Sequence, residues 1–129
     1  MKHLRDYMHE KQTNLFNETG SFFAFSDKQF NESQEEGITY VSLGSGLFCP
    51  VETAKKLSEG LKQIHQEAIE QDKAENGAEA IIKRELHNHE CFYTGDFHDA
   101  KNALSAYNFP DELFRKVWRE QFKIYAELN

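Results

Sequence analysis

Histidines, acids and a cysteine crowd together in KRELHNHECFYTGDFHDA, residues 83–100. Imidazole, carboxylate and thiolate are the donors zinc favours. His87, Glu90 and Cys91, joined by His98 or Asp99 across the TGD turn, are therefore candidates for a three- or four-ligand site serving a metal-dependent hydrolase. A helix over 78–93 puts residues three or four apart on one face. Glu85 then neighbours His89, while His87, Glu90 and Cys91 lie on another side. Two faces with a few donors each make a poorer site than one face with four, and the H-E-x-x-H order of a zincin is absent. The letters HNH at 87–89 do not reproduce the nuclease motif of that name, whose residues are scattered over a ββα fold.

The ordinary reading of the same residues has Glu85 and His89 hydrogen-bonded, Asn88 and Glu90 solvated, and Asp96 acting as a helix cap. A third reading makes Tyr93, Thr94 and Asp96 a polar ligand site, as in a protein that sequesters a nucleotide signal. Cys91 lacks an oxyanion signal, and neither a G-x-S-x-G elbow nor a P-loop occurs. The GSG at 44–46 reads as a hairpin turn, with a phosphate cradle the alternative. No catalytic residue and no cofactor is assigned.

The elements that must carry these residues follow from periodicity. Leu4, Tyr7, Met8 and Leu15 predict a helix over 3–16, stopped near Gly20. Ser26 and Gln29 have capping-box spacing, which starts a short helix from Asp27 to about Glu36. ITYVSL and LFCP flank the GSG and predict one β-hairpin over about 38–49. Val51, Ala54, Leu57, Leu61, Ile64 and Ala68 trace one stripe down to about Glu75, and Asn76 with Glu79 gives the next capping-box spacing. The last helix, about 110–128, carries a broad apolar face through Phe114, Trp118, Phe122 and Tyr125, so it should dock deeply with Trp118 largely buried. Phe22, Phe23, Phe25 and Phe30 are expected in the core. The fold class is α+β, a mostly helical single domain over 1–129 with one hairpin and a long C-terminal amphipathic helix.

With 22 Asp and Glu against 15 Lys and Arg, the formal charge is -7. Basic residues alternate with acids and form no stripe, which argues against direct nucleic-acid binding. An acidic surface suits a basic partner. The acids outside the apolar stripes, Glu32, Glu35 and Glu36 before the hairpin and Glu67, Glu70, Asp72 and Glu75 late in the long helix, are the candidate partner contacts. Cys49 and Cys91 lie in different elements without CxxC spacing and read as buried thiols of a reducing compartment, with a disulfide the alternative. No apolar run follows MKHLRDYMHEK and no window reaches membrane-spanning length, so a cytoplasmic location is expected.

GSFFAFSDKQF, GITYVSLGSGLFCP and IIKRELHNHECFYTGD, in that order, resemble a group of small uncharacterised proteins of bacteriophages and mobile elements. The resemblance implies a context and no site residue. Small acidic phage proteins without an enzyme signature are often inhibitors that occupy a basic groove of a host defence protein, and anti-CRISPR proteins are the best-populated class. The expected partner is thus a basic, nucleic-acid-handling host protein such as a CRISPR effector.

Overall fold

Local signals set most of the helix ends. The computed structural model describes residues 1–128, and they group into two compact units, Lys2–Ala68 and the chain from Ile69 onward.

The first unit opens with α1 (Leu4–Thr19), which ends as Gly20 turns left-handed at φ 71° and donates its N–H back to Asn17. Then come β1 (Phe22–Phe23), α2 (Asp27–Ser33), β2 (Tyr40–Ser42), β3 (Leu47–Pro50) and a single 3-10 turn over Val51–Thr53. The Ser26 half of the α2 capping box forms, and the Gln29 side chain reaches the residue before the cap. The Gln29 N–H donates to Ser26 Oγ at 3.2 Å, and the Gln29 side chain accepts from the Phe25 N–H at 2.8 Å.

The predicted hairpin, β2 with β3, acquires a third strand. The sheet order is β1-β3-β2, both pairings antiparallel, with Phe22 opposite Phe48 and Val41 opposite Cys49. Gly44, Ser45 and Gly46 all take positive φ, and the turn closes on itself, Leu43 N–H to Leu47 C=O at 2.8 Å and Leu47 N–H to Gly44 C=O at 3.0 Å. These backbone groups build a turn, which is the ordinary reading of the GSG.

α3 (Ala54–Asn76) supplies its residues through Ala68 to this unit. It runs antiparallel to α1: Lys11 pairs with Glu67 and Glu18 with Lys56, both at 3.6 Å. Between them Gly60 gives the Leu15 side chain room that a Cβ would fill. Leu15, Leu47, Cys49, Leu57 and Ile64 form the core.

The second unit holds the last turns of α3, then α4 (Ala78–Asn88), α5 (Cys91–Thr94), α6 (His98–Ala103), a 3-10 turn over Ser105–Tyr107 and α7 (Asp111–Leu128). Ile81, Ile82, Leu86, Cys91, Ala100 and Leu104 are buried with Phe114 and Val117 of α7.

The structure corrects several expectations. The capping box at Asn76 and Glu79 does not form: Asn76 closes α3 and its amide donates to Asp72 at 2.7 Å, while Gly77 at φ 77° precedes α4. The helix expected over 78–93 breaks at His89 and Glu90, where Glu90 takes φ 53°. α7 docks most deeply through its first two turns, with Tyr125 farther along still packed on Phe92. Phe114 and Val117 are buried, Trp118 is half-buried, and Ile124 and Leu128 are 49% and 80% exposed. Periodicity marks the face as apolar but says nothing of how much of it meets a neighbour.

Candidate functional site

The chemistry-bearing segment 83–100 is divided by its own backbone. Glu85, half-buried, accepts from Arg84 Nε at 3.0 Å and lies 3.6 Å from His89 Nε2, the i,i+4 neighbour the helix requires. Past the break at Glu90, Thr94 and Asp96 are occupied by the turn they make. The Asp96 N–H donates to Thr94 Oγ1 at 3.2 Å, and Asp96 Oδ1 accepts from the His98 N–H at 2.9 Å and sits 2.6 Å from His98 Nδ1. The bonds from the His98 backbone and ring hold the Asp96 carboxyl below its usual range. Asp96 is thus the cap-like residue of α6.

The proposed metal donors are not brought together. Cys91 is fully buried, and burial pushes its thiol up, away from the thiolate that zinc needs. His98 is engaged with Asp96. Among the described residues, no three of His, Cys, Asp and Glu are grouped as a ligand set. What the segment does form is a cleft of about 400 Å³ lined by His87, Glu90, Phe92, Tyr93 and Tyr125. Of the three ligand-site candidates, Tyr93 alone reaches this cleft. Tyr125, on α7, is the residue that local spacing could not supply.

The second unit also holds a buried network absent from the sequence expectations. Asp72, offered as a surface contact, is fully buried. Both its oxygens face Arg84, at 2.9 and 3.0 Å, and Tyr107 Oη donates to Oδ2 at 2.5 Å. Burial alone would raise the Asp72 pKa, but the bonds from Arg84, Tyr107 and Asn76 outweigh it and leave the carboxyl below its usual range. Its burial was legible in one respect. Position 72 continues the stripe of Leu57, Leu61, Ile64 and Ala68, so an acid there needs a buried partner.

The other acids remain at the surface. Glu32, Glu35 and Glu36 are exposed on α2 and its exit, and Glu67, Glu70 and Glu75 are exposed along α3. Glu67 is engaged by Lys11 and by the Gln63 amide at 3.0 Å. The aromatic cluster expected in the core is divided. Phe22 and Phe30 pack with Tyr40 and Phe48, whereas Phe23 and Phe25 are 49% and 74% exposed and stack at 6.4 Å.

These features define a mostly helical α+β protein with a small antiparallel sheet, an exposed aromatic pair and an open aromatic cleft. The chain belongs to DUF7659, a family of unknown function, whose model matches residues 4–123. No curated protein and no solved structure matches it. Among the described residues no helix is long and apolar enough to cross a membrane.

Proposed function

We propose that the protein is a binding module that occupies and inhibits a basic, nucleic-acid-handling host protein, in the manner of a phage-encoded counter-defence factor. The observation that carries this reading is the surface of the first unit. Phe23, on the edge strand β1, and Phe25, two residues on, stand exposed on either side of the Ala24 N–H to Gly46 C=O bond at 2.8 Å. Between Ser21 and Pro50 the chain carries Asp27, Glu32, Glu35 and Glu36 against the single base Lys28. Exposed aromatics and charge of one sign carried by the same stretch of chain are the makings of an interface: the rings supply desolvated contact area and the charges steer approach and select partners. The resemblance to small phage and mobile-element proteins adds the context of host defence, with a CRISPR effector as the type of target.

The test is capture from a bacterial lysate at low and high salt with the natural protein, with Glu32, Glu35 and Glu36 reversed to Lys, and with Phe23→Ala/Phe25→Ala. Recovery of a nucleic-acid-handling enzyme that both variants lose supports the proposal. Recovery of only an acidic or unrelated protein, indifferent to both variants, removes it. A nucleotide found on the purified protein would favour the sequestering alternative at Tyr93.

A further inference from the structure

The cleft of the second unit has a composition that selects one kind of ligand. Its walls are mostly aromatic side chains. Phe92, buried, has its ring centroid 4.9 Å from that of His87 and 5.9 Å from that of Tyr125, and it stacks on Trp118 at 5.6 Å. Tyr93 is 84% exposed and lines the same space. Among the described residues, Glu90 is the one acid on the wall. From Glu85 to Ala100 the chain carries Glu85, Glu90, Asp96 and Asp99 and no Lys or Arg. Aromatic faces present negative potential, and a carboxylate beside them adds to it, so such a cleft repels anions and attracts a desolvated cation.

Glu90 supplies an independent sign. It holds φ 53° without being glycine, in the turn between α4 and α5 where its N–H reaches His87 C=O at 3.1 Å. Glycine would take that conformation without strain. The left-handed residue after α4 is the ordinary helix stop, and a glutamate there, in place of glycine, holds backbone strain on the cleft wall.

We infer that His87, Glu90, Phe92, Tyr93 and Tyr125 form a binding site for an organic cation, an alkylammonium or guanidinium group held over the aromatic rings and paired with Glu90. The group has two possible sources, a Lys or Arg side chain of a protein partner or a free quaternary amine. The site stands apart from the inhibitor reading, which concerns the first unit.

The experiment titrates the full chain with choline, with its neutral isostere 3,3-dimethylbutan-1-ol, and with N-acetyl-lysinamide and N-acetyl-argininamide. The fluorescence of Trp118, the only tryptophan of the sequence, reports each titration. Choline should bind about 3- to 30-fold more tightly than the isostere, the range a cation over aromatic faces supplies. Tyr93→Ala and Glu90→Gly should each weaken the cations, and Glu90→Gly should leave the isostere unchanged. Glu90→Gly relieves the positive φ, so its melting temperature should hold or rise while binding falls, which separates loss of the site from loss of the fold. Preference for choline over the two amides identifies a free amine as the source, and the reverse order identifies a partner's side chain. An isostere that binds as well as choline, or cation binding untouched by both substitutions, overturns the inference.

Discussion

Tyr107 Oη donates to Asp72 Oδ2 at 2.5 Å across 35 residues of sequence, on the same carboxylate that Arg84 grips with two nitrogens. This joins the end of α3, the middle of α4 and the 3-10 turn before α7 at one buried point. Removing one partner strands a charge in the core. Asp72→Ala or Arg84→Ala should each cost about 3–5 kcal/mol, whereas Tyr107→Phe, which deletes one hydroxyl, should cost about 1 kcal/mol. Replacing the pair together, Asp72→Leu with Arg84→Met, should cost much less than the two single changes summed. Denaturant midpoints of the four variants check this, and additive costs would contradict it.

The same network sets a pH profile. The folded pKa of Asp72 lies below its unfolded value, so its contribution is complete above about pH 4 and is lost as pH falls through the folded value. Burial, and then the Asp72 anion, raise the Tyr107 pKa, so its contribution is complete below about pH 10 and is lost as pH rises toward the folded value. Stability should be level between these limits and fall outside them. Tyr107→Phe should shrink the alkaline loss more than the acid one, and equal shrinkage of both would be evidence against the assignment.

Phe92 and Trp118 stack on each other yet should respond differently to truncation. Phe92 is buried and Trp118 half-buried beside Phe97 and Phe122, with centroids at 5.5 and 5.0 Å. Phe92→Ala should cost about 3–5 kcal/mol and Trp118→Ala about 2 kcal/mol. Thermal melts of the two variants measure the difference, and a Trp118→Ala cost equal to that of Phe92→Ala would mean that α7 docks more deeply than its exposed end indicates.

What could be read from the sequence was what neighbours in sequence decide. Gly20 stops α1, Ser26 and Gln29 start α2, and Pro110 accepts the first bond of α7 from the Phe114 N–H at 3.2 Å. The two residues of β1 could not be read, because only the pairing of Phe22 with Phe48 makes them a strand. Nor could Glu90, whose reversal of φ divides an unbroken helical pattern. The exposure of Phe23 and Phe25 was hidden for a related reason: composition puts aromatics in a core, but a sheet of this size has a second face and an edge. The cleft needed Tyr125, which the chain supplies more than thirty residues downstream of Phe92.

For the proposed blocking of a basic partner by an acidic aromatic surface, the most direct measurement is inhibition of the captured enzyme by purified protein. Nucleic-acid binding by that enzyme should fall as the protein is added. The inhibition should weaken steeply as salt shortens the screening length from about 8 Å at physiological strength. Reversal of Glu32, Glu35 and Glu36 to Lys should abolish it. Undiminished nucleic-acid binding at saturating protein, or inhibition equally strong at high salt and with the three charges reversed, would contradict the account.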